Sequence, residues 1–156
     1  MRWERLFDEL AASLDDDAKL EQDALAEDLA AEEWAATSWT DLLGGTPTLD
    51  LEGVGPLTGE VTMIGRDLAH VLAPGPVLVH LAAVRGLRGG SRAGAPAVSR
   101  RSWAMTWRAL AGEEVRLVRR DGTEVTGPVG VAGADYVTVG AVIVPTDRVS
   151  AVWARR

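Results

Sequence analysis

Residues 110–153 read LAGEEVRLVRRDGTEVTGPVGVAGADYVTVGAVIVPTDRVSAVW, and residues 43–87 read LGGTPTLDLEGVGPLTGEVTMIGRDLAHVLAPGPVLVHLAAVRGL. The two stretches align with their gaps confined to turns. The matching residues are Gly45 with Gly112, Gly59 with Gly127, Gly65 with Gly133, Asp67 with Asp135 and Val84 with Val149. An internal repeat of this density predicts that one supersecondary unit occurs twice in the chain.

The second copy carries the clearer strand pattern. Val115 and Leu117 alternate with a charged residue, as expected of a half-buried strand. Asp121-Gly122 is a strong tight-turn signal, and Gly127 in the middle of the next strand permits a sharp bend. Three further strands are predicted near residues 136–139, 142–144 and 149–153. Five short strands joined by tight turns are typical of a small antiparallel barrel.

Residues 2–36 contain neither glycine nor proline and are rich in good helix formers. They predict either one long helix or two helices joined at Asp15–Asp17. The apolar side chains recur at helical spacing, at Trp3, Leu6, Phe7, Leu10, Leu14, Ala18, Leu25, Leu29 and Trp34. Two interpretations of this stripe stay open: it packs on the rest of the chain, or it pairs with a partner.

Each repeat is preceded by a serine and a tryptophan in the layout of a capped short helix, at Ser38-Trp39 and Ser102-Trp103. Between the repeats, RGGSRAGAPAVSRR is rich in glycine, serine and alanine and predicts a mobile linker. We therefore predict an α+β protein. Its predicted parts are an acidic helix over 1–36, a first five-stranded barrel over 37–87, an Arg/Gly-rich linker over 88–101 and a second barrel over 102–156.

The repeat resembles a known family. VRLVRRDGTEVTGPVGVAGADYVTV resembles the first motif of Sm-like proteins, which include the bacterial RNA chaperone branch. VIVPTDRVSAV and VLVHLAAVRGL resemble the second motif, and Val84-Arg85-Gly86 matches its apolar-Arg-Gly ending. The resemblance implies two tandem Sm-like barrels and an association with RNA. The opening MRWERLFDEL also resembles a set of short proteins of high-GC Gram-positive bacteria.

The two copies depart from the family at the RNA-binding position. RNA-binding members place an asparagine shortly after the motif aspartate, where it reads a base. No asparagine follows Asp67 or Asp135, and the second copy lacks the Arg-Gly pair. The resemblance therefore implies an architecture more strongly than it implies a base pocket.

The net charge of −7 is unevenly distributed: residues 1–52 carry −12 and residues 53–156 carry +5. No acidic residue lies between Asp67 and Glu113. The candidate nucleic-acid or partner contacts in and around this interval are Arg85, Gly86, Arg88, Arg92, Arg100, Arg101 and Arg108, with Trp107 for base stacking. Six neutralised phosphates would give a log–log salt slope of roughly −5. The alternative roles for this basic segment are a solubilising linker and an intramolecular partner for the acidic helix.

The sequence contains no recognisable motif for disulfides, metal binding or catalysis. The absence of cysteine excludes disulfides and thiolate metal sites, and it is typical of a cytoplasmic chain. His70 and His80 are the only histidines; both are expected to face solvent, and neither has metal-ligand spacing. We predict no cofactor, no metal, no membrane segment, no small-molecule substrate and no catalysis.

The predicted function is that of a non-catalytic interaction or assembly protein. It would bind a protein partner or associate with itself, since the edge strands of small barrels invite pairing. The alternative is an RNA- or DNA-associated regulator that binds through the Arg85–Arg108 segment.

Overall fold

The computed structural model describes residues 2–155; within the first helix, the side chains of residues 2, 7, 13–15 and 17 lie outside the described set. Phe7 and Leu14 of the predicted apolar stripe therefore lie outside the described side chains. The chain divides into two compact units, Met1–Ser38 and Trp39–Arg156.

The first unit is one α-helix. Helix α1 spans Arg2–Ala35 and runs through the three aspartates without a break, as expected of a segment free of glycine and proline. Large apolar side chains are exposed along it, at Trp3, Leu6, Leu10, Leu20, Leu25, Leu29 and Trp34. None of the helices in the described part of the chain combines the length and the apolar character that a membrane crossing requires.

The second unit consists mainly of short strands. The first half holds β1 (Thr48–Leu51), β2 (Gly55–Thr58), β3 (Glu60–Ile64), β4 (Leu68–Leu72), β5 (Pro76–His80), β6 (Val84–Arg88) and β7 (Ala97–Val98). The second half holds α2 (Trp103–Ala109), β8 (Glu114–Arg119), β9 (Glu124–Ala132), β10 (Tyr136–Val139), β11 (Val142–Pro145) and β12 (Val149–Ala154). Three 3₁₀ helices lie at Trp39–Leu42, Leu81–Ala83 and Thr146–Arg148.

The prediction of two five-stranded barrels is wrong. The strands form an open nine-stranded sheet in the order β11-β10-β9-β8-β12-β5-β4-β3-β7 and a three-stranded sheet in the order β2-β1-β6. In the second half, β12 pairs with β8 on one side and with β5 of the first half on the other. Since a strand has only two edges, β12 cannot also pair with β11 and close a barrel around the second half.

In the first half, the chain passes from the small sheet to the large one between β2 and β3, which only Gly59 separates. Strand β6 pairs with β1, and β5 pairs with β4 and β12, so this half does not close either. The alternation of side chains specified which face of each strand is buried, but it did not specify which edges pair.

The segment that we predicted to be a linker is bonded to the first half. The Ser91 and Gly44 backbones exchange hydrogen bonds of 2.9 and 3.2 Å. Strand β7 runs parallel to β3, and the Ser99 amide donates to the carbonyl of Ile64 at 2.8 Å. Glycine and serine are compatible with such pairing, because the bonds come from the backbone and not from the side chains.

Two apolar clusters form the core of the second unit. One joins α2 to the strands of the second half and includes Leu68 from β4. The other lies in the first half and includes Ala151 from β12. Each cluster therefore contains a side chain from the opposite half, and the two halves share their buried surface.

Candidate functional site

Four strands lie at sheet edges among the described residues, and β11 and β6 are the two whose repeat counterparts, β5 and β12, have a neighbouring strand on both sides. Strand β11 ends the nine-stranded sheet and pairs only with β10. Strand β6 ends the three-stranded sheet and pairs only with β1. A free edge presents backbone N–H and C=O groups that can pair with another chain.

The internal repeat supplies a paired counterpart for β11. Val142, Ile143 and Val144 correspond in sequence to Val77, Leu78 and Val79 of β5, which is covered by β12. Two of the three pairs differ in exposure: Val77 is 0% exposed and Val142 is 39% exposed, and Leu78 is half-buried and Ile143 is 66% exposed. The third pair, Val79 and Val144, is buried in both strands. The missing neighbour therefore leaves apolar surface on β11 uncovered.

Strand β6 differs from its own counterpart, β12, in the same way. Gly86 and Leu87 correspond to Ala151 and Val152, which are buried between β5 and β8. In β6 the same two positions are only half-buried. The free edges β11 and β6 thus match the two strands that pair inside the chain.

Arg85 lies on β6, where it forms an ion pair with Asp50 of β1 at 3.1 Å. Both side chains are about half exposed, so water screens the pair and its contribution to stability is about 0–1 kcal/mol. The neighbouring Gly86 lies opposite Asp50 in the register of the two strands. The structure thus places a carboxylate beside the first arginine of the basic segment.

The remaining predicted arginines are exposed and lie on different elements. Arg88 ends β6, Arg92 and Arg100 lie between β6 and α2, and Arg108 lies on α2. Arg101 lines a groove of about 480 Å³ that Glu113, Glu114 and Arg155 also line. The surface near Arg101 is therefore mixed in charge.

Trp107 lies in the core. Its side chain is 1% exposed, and its ring stacks on Trp103 with the two centroids 4.7 Å apart. The signal that we read as a stacking platform beside Arg108 belongs to the apolar face of α2. In this conformation the Trp107 ring has no surface on which a base could stack.

His80 is also buried, with 8% of its surface exposed, so the prediction that it faces solvent is wrong. Its Nδ1 atom accepts a hydrogen bond from the Ala82 amide at 3.1 Å, and its ring lies 5.8 Å from that of Trp103. Burial lowers the pKa of His80, and the nearby positive charge of Arg120 lowers it further. The other histidine, His70, is half-buried, and its Nδ1 lies 3.1 Å from the Thr62 hydroxyl.

Asp67 supports helix α2. Its carboxylate oxygen Oδ1 accepts the backbone N–H of Trp103 at 3.0 Å, and its backbone oxygen accepts the indole N–H of the same residue at 3.2 Å. From the sequence, Asp67 is recognised as a repeat position and as the aspartate of the Sm-like first motif, and neither indicates a helix cap. Its capping role depends on a residue far along the chain, and no local motif indicates it.

Among the described residues, no three His, Asp or Glu side chains lie close enough together to hold a metal ion. The clearest chemical property of the second unit is its pair of matched strand edges. A comparison with protein-family models and with curated proteins found no match to this chain.

Proposed function

We propose that the protein is a non-catalytic, cytoplasmic assembly protein that binds its partner by adding a β-strand to β11. The proposal depends on one observation: β11 ends the large sheet with exposed apolar side chains, although the same positions in β5 are covered by a neighbouring strand. Backbone hydrogen bonds along such an edge supply affinity, and the flanking side chains supply specificity.

The composition of β11 supports this use. Edge strands that avoid pairing usually carry lysine, an inward charge, a bulge or an internal proline. Val142, Ile143 and Val144 include none of these residues, and Pro145 is the last residue of the strand. The edge at the other end of the sheet, β7, has only two residues and offers a partner much less backbone.

The non-catalytic part of the proposal is supported by the roles of the buried polar side chains. His80 accepts a backbone hydrogen bond and Asp67 caps α2, so both side chains are engaged in structural contacts. Neither is aimed at the 480 Å³ groove, whose lining includes His70 but neither of these residues.

The test compares two lysine substitutions. Ile143→Lys places a charge on the free edge, which natural sheets use to block strand addition. Val131→Lys is the matched control, because Val131 is also 66% exposed but lies on β9, an interior strand of the sheet. We expect Ile143→Lys to abolish association and Val131→Lys to retain it, whether the partner is another protein or a further copy.

Association is measured by affinity capture from the source cytoplasm and by mass measurement on the purified protein. Hydrogen exchange at the β11 amides in the complex provides the structural readout, since added strands protect edge amides. If both variants associate like the unmodified protein and β11 gains no protection, the proposed function is wrong.

A further inference from the structure

We infer that the strand added to β11 is β6 of a second copy of this chain, in the register that β5 and β12 adopt within one copy. This inference rests on the proposed function and names its partner. It is carried by the internal repeat, because the chain already contains one example of the contact.

That example is the antiparallel pairing of β5 with β12. Val79 lies opposite Ala151, Leu78 opposite Val152, and Val77 opposite Trp153. The pairing connects the first half to the second and lies at the centre of the nine-stranded sheet. In the internal repeat, β5 aligns with β11, and β12 aligns with β6.

Replacing β5 by β11 and β12 by β6, as the repeat aligns them, gives a specific register for the contact between two copies. Val144 would lie opposite Gly86 of the second copy, Ile143 opposite Leu87, and Val142 opposite Arg88. Both strands have free edges in the described part of the chain, so the contact requires no strand to be displaced.

Side-chain packing at the internal junction explains the exposure of Ile143. Leu78 is half-buried because it packs against the second-half core, which contains its cross-strand neighbour Val152. Leu87 likewise packs against the first-half core of its own chain. In the inferred contact Ile143 would lie beside Leu87 of the second copy and cover the edge of that core, as Leu78 does internally.

The contact between copies is weaker than the internal one. Gly86 and Arg88 stand where β12 has Ala151 and Trp153, so less apolar surface is available to the partner strand. The internal pairing also benefits from joining two parts of one chain. We therefore expect association that increases with protein concentration, in a head-to-tail arrangement that can repeat from copy to copy.

Engineered cysteines test the register directly, because the chain has no cysteine of its own. Ile143→Cys and Leu87→Cys are made in separate chains, purified, mixed and oxidised. Directly opposed residues in an antiparallel pair have Cα atoms about 4.5–5.5 Å apart, within disulfide range. We expect a disulfide-linked dimer in the mixture and much less cross-linking in either variant alone.

Val131→Cys mixed with Leu87→Cys is the matched control, since Val131 is as exposed as Ile143 but lies off the edge. The weight-average mass of the unmodified protein should rise with concentration above the 16.6 kDa of one chain. This rise should be lost in Ile143→Lys and kept in Val131→Lys.

The outcomes separate the two proposals. A protein that remains one chain at every concentration, but captures another protein in a manner sensitive to Ile143→Lys, overturns this inference and leaves the proposed function standing. Efficient cross-linking of Ile143→Cys with itself also overturns it, since that result indicates β11 pairing with β11. A concentration-dependent mass that Ile143→Lys does not change contradicts both proposals.

Discussion

Two constraints require glycine at position 53: a positive φ angle and close contact with neighbouring backbone. Gly55, two residues later, has only the first of them. Both have positive φ angles, +74° and +89°. A Cβ on Gly53 would overlap the carbonyl oxygen of Arg119 and lie 2.6 Å from the amide nitrogen of Gly122, whereas a Cβ on Gly55 would meet nothing within 4 Å. The turn between β1 and β2 therefore contacts the turn between β8 and β9 at a distance that only glycine permits.

Gly53→Ala should destabilise the protein more than Gly55→Ala does. Each substitution places a side chain in a left-handed conformation at a cost of about 1 kcal/mol, and Gly53→Ala adds the overlap with the second half. Chemical denaturation of both variants measures the difference. Equal losses of stability would show that the two turns can separate freely.

His80 should make stability depend on pH. The pKa of His80 in the folded protein is lowered, mainly by burial and further by the charge of Arg120. As the pH falls, the unfolded chain therefore takes up a proton at this residue at a higher pH than the folded chain does. As the pH falls below about 6.5, the ordinary pKa of histidine, the unfolded state gains protons and the free energy of unfolding decreases. The decrease ends once the pH is below the folded pKa.

His80→Asn should reduce this pH dependence, because the asparagine oxygen can accept the Ala82 amide without titrating. Unfolding by denaturant at a series of pH values from neutral to mildly acidic measures the effect. His70→Asn is the comparison, since it removes the other histidine. A pH slope unchanged by His80→Asn would rule out His80 as its source.

Single residues were predictable where local pattern decides their environment. The alternation at Val115 and Leu117 is confirmed, since both are buried, and the turn at Asp121-Gly122 is confirmed by the Arg119 to Thr123 backbone bond. The environment of His80 was not predictable, because Trp103, whose ring lies 5.8 Å from that of His80, follows it by more than twenty residues of chain.

At the scale of elements, α2 depends on caps from two sources. The Ser102 hydroxyl accepts the Met105 amide at 3.4 Å, and the Asp67 carboxylate accepts the Trp103 amide at 3.0 Å. The second bond connects the loop after β3 to the helix that carries the stacked tryptophans. The two caps therefore couple the first half of the unit to the core of the second.

Asp67→Ala should destabilise the protein by about 1 kcal/mol, and Asp67→Asn by less, because the amide oxygen can still accept the Trp103 N–H. Asp135→Ala is the control: it occupies the matching repeat position, and its side chain is exposed. Thermal unfolding gives the stabilities, and near-ultraviolet circular dichroism reports the Trp103–Trp107 stack. If Asp135→Ala matches Asp67→Ala, capping is not the cause.

The repeat predicted the strands well and their pairing poorly. In both halves the backbone carbonyl of the motif aspartate accepts a hydrogen bond from the first residue of the next 3₁₀ helix. The Leu81 amide donates to Asp67, and the Thr146 amide donates to Asp135. These contacts are local to each copy and follow from its sequence. The pairing of β5 with β12 joins strands that are distant in sequence. The same alternation of buried and exposed side chains is also compatible with two closed barrels, so it could not predict this pairing.

At the scale of the whole molecule, the charge pattern argues against polyanion binding. The net charge is −7, Arg85 is paired with Asp50, and Arg101 lines a groove with two glutamates. We expect no retention on heparin or oligo-U at about 150 mM salt. Elution in a salt gradient measures this, and retention lost on changing Arg85, Arg100 and Arg101 to alanine would favour the nucleic-acid alternative instead.

Among the described residues, strand β12 follows the other strands in chain order, yet it lies between β8 and β5 in the middle of the large sheet. During synthesis, β5 and β8 are therefore complete while the strand that separates them is still missing. The nascent chain passes through a stage with two additional unpaired edges, each able to pair wrongly with a neighbouring nascent chain. Insertion of β12 between β5 and β8 is thus the step that joins the two halves into one sheet.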